Sequence, residues 1–206
     1  MKKLQLENTS YTFADYFKLS HEIDGIVDYF GYKFNKDYLQ LPRSNQELSR
    51  LDDLQLRLEE NLRYATLTSE IAKRDFLIAP VISDVIHYTH TRVRIEFPLV
   101  VDEQLKGSLD YLLESPHHNL LVIEAKNGDL EQGVKQLAIE LIALDRWLEN
   151  DPNKLLYGIV SIGNVWQFSM LQRTEKQLTQ DLNLFRLPAD VESLLRVMIG
   201  LLEEVV

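Results

Sequence analysis

Along the chain, hydrophobic positions recur first at helical and then at strand spacing. Over residues 12–30, Phe13, Tyr16, Phe17, Ile23, Ile26, Val27 and Phe30 fall at three- and four-residue steps. That spacing predicts one amphipathic helix ending near Gly31. Residues 32–42, rich in Tyr and Leu and closed by Pro42, read as a connecting loop with short extended pieces. Ser44 stands three residues before Glu47 in a capping-box pattern. The helix it opens is expected to run to about Tyr64, with Leu48, Leu51, Leu54, Leu58 and Leu62 on one stripe. A further helix follows Thr68 and includes Ile71, Phe76, Leu77 and Ile78; Pro80 is expected to kink or break it before Ile86.

Short apolar runs separated by turn residues then predict strands at 92–101, 107–115 and 119–126. Pro98 cannot donate to a ladder, which puts the first strand at an edge or a bulge. The other two are apolar on both faces, as strands covered by helices on each side are. Val134, Leu137, Ala138, Leu141, Leu144 and Leu148 form the core face of a long helix over 129–149. Strands 155–162 and 165–171 meet at Gly163-Asn164, a two-residue hairpin signal. Pro188 suits the first turn of a closing helix over 189–204. The order is helices, three strands, helix, two strands, helix: an α/β fold with a mixed sheet flanked by helices.

A chain of 206 residues makes one large domain, or one domain with an appendage, and a core of that size needs no staples. The absence of Cys removes disulfides, thiolate zinc sites and a Cys nucleophile together. No apolar run approaches the roughly 20 residues of a membrane span, and the start, MKKLQLENTS, lacks the apolar stretch of a secretory signal. A soluble, cytoplasmic protein with no membrane partner is expected. Against 22 Lys+Arg stand 32 Asp+Glu, a formal charge of −10. That balance argues against a protein that simply coats nucleic acid, because phosphate binding rests on Lys and Arg releasing counterions. It leaves room for an enzyme with a locally basic cleft, and Arg92, Arg94, Lys106, Lys126, Lys135 and Arg146 could form a basic strip. No phosphate-binding glycine loop or serine-hydrolase elbow occurs. His87 and His90, near a helix end, and His117-His118, in a turn, fit no zinc spacing.

Three polar residues interrupt the most apolar strands: Asp110, Glu124 and Lys126. A turn over Ser115-Pro116-His117-His118 centred on His117 sets Asp110 directly opposite Glu124. Opposed side chains on antiparallel strands have Cβ atoms about 5 Å apart, where like charges repel. Glu124 and Lys126, two residues apart, share a face. Two carboxylates and an ammonium thus converge, which suits a hard divalent cation: Mg²⁺ takes one or two carboxylates and keeps waters for substrate phosphates. The lysine could then orient a nucleophilic water or stabilise charge developing on phosphorus. A buried salt bridge of Lys126 with Glu124 or Asp110 would account for the same residues structurally.

The segment GSLDYLLESPHHNLLVIEAK resembles the PD-(D/E)XK nuclease superfamily, with its restriction-endonuclease-like fold. Asp110 matches the first acid and Glu124-Ala125-Lys126 the Glu-x-Lys; no second E-x-K and no D-x-K occurs in the chain. Gly107-x-x-Asp110-Tyr111 is also similar to many members, whereas Leu109 stands where a proline precedes the acid in the family's name. The resemblance implies a restriction-endonuclease-like αβββαβ core within a domain over 66–206, preceded by an N-terminal helical extension over 1–65 packed on it. It implies a metal-dependent nuclease, with DNA as the expected substrate, Mg²⁺ as cofactor and Mn²⁺ as a substitute. Asp110, Glu124 and Ala125 would be metal positions and Lys126 a catalytic residue. Glu70 would be the helix-borne further acid, against an i,i+4 pair with Arg74 as its structural alternative. On the helix after the strands, Gln136 is expected near the phosphates, and Gln132 is expected to be solvated. The competing function is a non-catalytic protein-interaction or regulatory module that keeps the fold. The aromatic N-terminal helices, beyond what the core needs, suggest a homodimer interface or a partner dock.

Overall fold

The structure, a computed structural model, describes residues 10–117, 120–126, 128–149 and 151–203. Residues 1–9, His118, Asn119 and residue 204 of the expected closing helix therefore lie outside the described residues. The first elements are helices α1 (Phe13–Phe17) and α2 (Ile23–Tyr29), strand β1 (Lys33–Asp37) and helix α3 (Leu51–Tyr64). The single helix expected over 12–30 is thus two, parted at residues 18–22, and Gly31 at φ 82 follows the second. The expected loop over 32–42 contains β1, so the N-terminal part is not purely helical. Ser44 does not open a helix. Its hydroxyl donates to Glu203 at 2.7 Å and accepts from the Gln46 N–H, and α3 begins only at Leu51.

Next come α4 (Glu70–Lys73), a π-helical turn over Arg74–Ile78, and α5 (Ala79–Thr89). Pro80 neither breaks nor ends this run. Its missing N–H and its ring would collide with the i−4 carbonyl in a regular helix; that carbonyl belongs to Phe76, and the widened turn lies across it. Asn61 Nδ2 donates to the Phe76 carbonyl at 2.8 Å, replacing the lost partner.

Strands β2 (Arg92–Val100), β3 (Lys106–Glu114) and β4 (Leu120–Ala125) follow, then α6 (Leu130–Leu148), β5 (Leu155–Ser161), β6 (Val165–Gln172), β7 (Gln177–Asp181), β8 (Phe185–Arg186) and α7 (Val191–Leu202). Among the described residues, the eight strands join one mixed sheet in the order β1-β7-β6-β5-β4-β3-β2, with β8 on β6. Pro98 sits on the edge strand β2, as a residue without an N–H must. β4 and β5 are parallel, so the chain has to cross over between them, and α6 is that crossover.

The sheet carries an apolar layer on each face. One gathers Leu54 and Leu58 of α3, Leu77 to Val85, most of α7, and Leu121 and Ile123 of β4. The other gathers Phe13, Tyr16, Ile26, Val27, Val122 and the core face of α6. Of the N-terminal apolar residues, Phe13, Tyr16, Ile26 and Val27 are buried against α6 and the sheet, whereas Tyr29, Tyr38 and Tyr64 stay exposed. No helix among the described residues is long and apolar enough to cross a membrane.

One irregularity positions the polar residues. Ile95 pairs with Tyr111 and Phe97 with Leu109, but the intervening Glu96 and Asp110 do not pair, and Glu96 is left-handed at φ 51. Leu109 and Tyr111, two residues apart, enter opposite apolar layers. The pleat is reset at Asp110, a bulge-like device that re-aims a side chain.

Candidate functional site

The β3–β4 register runs Glu114↔Leu120 through Tyr111↔Ile123, the alignment that a turn centred on His117 requires. The next pair would be Asp110 and Glu124, and there the strands part. In place of a ladder bond, the Asp110 carboxylate accepts the Ala125 N–H at 2.9 Å. Beyond that point β4 pairs only with β5, which holds Lys126 through its N–H to the Ser161 carbonyl at 2.8 Å. Asp110, Glu124 and Lys126 are thus gathered at a fork in the sheet.

Glu124 points to the α6 side and is wholly buried, with a side-chain exposure of 0 %, while Asp110 and Lys126 keep 15 % and 17 %. The Lys126 ammonium contacts Glu124 Oε1 directly. Its stem lies against Gly133 of α6, where an added Cβ would come 3.2 Å from Lys126 Cγ and 2.6 Å from Val160 Cγ1. The ammonium also stands 5.4 Å from the centre of the Phe17 ring, so α1 forms one wall. On the other side Arg74 reaches the fork from the π-helical turn. It contacts Asp110 Oδ1 at 3.6 Å and Glu96 Oε1 at 2.8 Å, and its Nε donates to the Tyr111 hydroxyl at 3.3 Å.

A residue the sequence reading missed completes the group. Glu140, fully buried on α6, lies against Glu124, and Gln136 Nε2 donates to Glu140 Oε1 at 2.9 Å. Burial holds Glu124 well above the usual carboxylate range; the charges of Glu140 and Asp110 add to it, and Lys126 opposes. Burial likewise raises Glu140, against the hydrogen bonds of Gln136 and Glu124. Asp110 is raised by burial, moderated by the Ala125 N–H and the Arg74 charge. For Lys126, burial alone would lower the ammonium, but the Glu124 charge and hydrogen bond prevail and raise it. An acid inside the apolar run Leu137-Ala-Ile-Glu140-Leu-Ile was the available signal, since an ionisable group there needs a partner.

Of the expected site residues, the fold brings together Asp110, Glu124, Ala125, Lys126 and Gln136. Glu70 stands in the first turn of α4, and the residue of that stretch that contacts Asp110 is Arg74, one turn later. Arg74 is turned to Asp110 and Glu96, not back to Glu70. Gln132 is half-buried rather than solvated, with a buried Oε1 that has no hydrogen-bond partner. The basic strip is largely neutralised by carboxylates: Arg94 pairs with Glu114, Lys106 with Glu103, Lys126 with Glu124 and Arg146 with Asp102. Among the described residues, no three His, Asp or Glu side chains form a ready metal cage. The chain matches no family model, no curated protein and no solved structure.

Proposed function

We propose that the chain is a metal-dependent nuclease of the PD-(D/E)XK, restriction-endonuclease-like type, hydrolysing phosphodiester bonds with DNA as its substrate. The observation that carries this reading is the fork itself: Asp110 opposite Glu124, and Lys126 two residues on, where β3 and β4 separate. The order of α4–α5, β2, β3, β4, α6 and β5 supports it, because it is the αβββαβ order that the resemblance implies. Domain limits at 1–65 and 66–206 belong to the same proposal.

The donor set fits a hard divalent cation, Mg²⁺ or Mn²⁺. Gln136 Oε1 is a buried oxygen without a hydrogen-bond partner, and the carboxyl groups of Glu124 and Glu140, hydrogen-bonded to each other, offer the oxygens that such ions take. Asp110, Glu124 and the main-chain carbonyl of Ala125 would hold the ion, with water filling the remaining positions. When bound, the cation polarises a phosphoryl oxygen and lowers the pKa of its water.

The chain's own residues do the rest. Asp110 is fixed by the Ala125 N–H and Arg74, so its carboxylate reaches the mouth in one orientation. Lys126, partly exposed and held charged by Glu124, presents a positive donor where negative charge develops on phosphorus. Phe17 and the stem of Lys126 limit water on the α1 side.

The alternative, a non-catalytic module, is favoured by one observation. Lys126 and Arg74 already contact the two acids, so the cluster is partly self-neutralised. Metal-dependent nicking of supercoiled plasmid, with single-stranded RNA as a second substrate, separates the two. Wild type should nick with Mg²⁺ or Mn²⁺ and stop in chelator. Asp110→Asn (D110N) still accepts the Ala125 N–H, so it should fold and lose about 10²-fold or more in rate. Wild type that cleaves neither substrate with either metal would refute the nuclease and leave the binding module.

A further inference from the structure

We infer that a cavity at the C-terminal end of α6, between that helix and the edge strand β2, binds a small flat organic cation of the guanidinium or amidinium class. It lies apart from the fork. Glu114 on its wall is four residues along β3 from Asp110, roughly 13 Å at strand rise, and the inference does not rest on the nuclease reading.

The cavity encloses about 350 Å³, within the range of small-ligand sites. Phe97 and Trp147 line it together with Leu112 and Leu148, and Arg94, Glu114 and Asp151 are its polar members. Trp147 stands in the last turn of α6 and meets the Phe97 ring edge-on at 6.1 Å, yet it is 50 % exposed. Half of a large apolar side chain is thus left without protein cover.

One half of the cavity is filled, and it shows what the other half accepts. Arg94 carries its guanidinium over the Phe97 ring, 5.4 Å from the centre, and its Nη2 donates to Glu114 Oε2 at 3.2 Å. An aromatic ring and a carboxylate hold a flat cation there. Trp147 and Asp151 repeat that pair of groups, and among the described residues none of the stacked cations lies on Trp147. Asp151 Oδ1 accepts the Asn153 N–H at 2.8 Å and lies 3.7 Å from Arg173, whose Nε and Nη1 are engaged by Asp145 and two carbonyls. These contacts leave Asp151 Oδ2 as an acceptor for a ligand.

The charges agree. One cation and two carboxylates line the cavity, and the C-terminal end of the 19-residue α6 adds negative potential. The basic residue of its last turn, Arg146, is engaged by the Phe30 carbonyl and Asp102. An anion would meet two carboxylates, and a neutral ring would cover the indole without pairing Asp151. A flat cation does both.

The test is nitrogen–proton correlation NMR of the full chain, titrated with benzamidine and with benzamide as its uncharged isostere. The two indoles of the chain serve as reporter and control: Trp147 lines the cavity, while Trp166 is buried with its Nε1 bonded to the Gly163 carbonyl. Trp147→Phe assigns the two signals. Benzamidine should shift the Trp147 indole saturably, with a Kd on the order of 1 mM, and leave Trp166 in place. Benzamide should bind about tenfold or more weakly. Asp151→Asn (D151N), which keeps an acceptor for the Asn153 N–H, should weaken benzamidine about fivefold. Should D151N not fold, as its spectrum would show, Glu114→Gln (E114Q) carries the same expectation. Equal shifts with benzamide would mean adsorption on an exposed ring, and shifts of both indoles would mean non-specific binding. Either result, an unmoved Trp147, or full affinity in the folded variant overturns the inference.

Discussion

Replacing Lys126 by alanine tests the electrostatics of the fork directly. The ammonium contacts Glu124, whose side chain is 0 % exposed and is pressed further by Glu140 and Asp110. Removing one partner of a buried pair leaves the other uncompensated, a loss of about 3–5 kcal/mol. Glu124 can escape part of this by taking up a proton, so the lower end applies at acidic pH. For a chain of this length each kcal/mol moves the thermal midpoint by roughly 2–4 °C, which puts the fall for K126A at roughly 6–20 °C. The assay is thermal unfolding followed by circular dichroism at pH 7 in chelator, with Lys126→Ala, Glu124→Gln and the double variant. The double variant should recover most of the loss, because Gln at 124 no longer needs a counter-charge. A fall of less than about 2 °C in K126A, or a double variant no better than K126A, would refute the claim that Lys126 neutralises a buried acid. The sequence alone separated a catalytic lysine, dispensable for folding, from a structural one. The geometry joins the two, so a nicking defect in K126A is interpretable only beside its midpoint.

Arg173 ties the end of α6 to the turn after β6: its Nε meets Asp145 Oδ1 at 2.5 Å and its Nη1 donates to the carbonyls of Asp151 and Asn153 at 2.9 and 2.7 Å. Arg173→Met should cost about 3–5 kcal/mol, read as a lower urea midpoint, and an unchanged midpoint would contradict the network. Asp84 is held above its ordinary value of 3.8 by burial, which outweighs the Arg57 charge. The folded state therefore binds its proton more readily than the unfolded chain, and stability is lost as pH rises above 3.8. Asp84→Asn should raise the thermal midpoint at pH 7, with the gain shrinking to nothing towards pH 3.8 and below; a lower midpoint at pH 7 would mean the Arg57 pair prevails.

What could be read from the chain and what could not divide along physical lines. The hairpin register was legible because one turn and two apolar strands leave little choice, and that register alone set Asp110 against Glu124. The crossover helix was legible from its leucine stripe. Glu140 was not, because it belongs to the same apolar surface and only the packing of α6 on β4 reveals what it faces. Glu70 and Arg74 were both available on one helix. Glu70 was chosen from the resemblance, whereas Arg74 reaches Asp110 from a π-helical turn that the sequence pattern does not display. β7 escaped notice because Gln177-Leu-Thr-Gln-Asp181 has a single large apolar side chain; its buried Thr179, Gln180 and Asp181 are paid for by hydrogen bonds that sequence does not display. The Ser44 capping box failed for a tertiary reason, since its hydroxyl is taken by Glu203 at the far end of the chain.

The fork concentrates features that a fold seeking only stability avoids. Glu124 and Glu140 lie in contact without exposure, Glu96 adopts a left-handed backbone, and the β2–β3 ladder skips a pair at that level. A left-handed non-glycine residue costs about 1–3 kcal/mol, and a buried ionic cluster is often no more stable than apolar side chains of the same volume. Elsewhere the two apolar layers are extensive, and Gln167 of β6 and Gln180 of β7, both buried, are hydrogen-bonded to each other. Irregular features occur elsewhere too, as at the buried Ser169 hydroxyl, but several of them meet at the fork. Such a pattern is expected where a site, and not the core, dictates the residues.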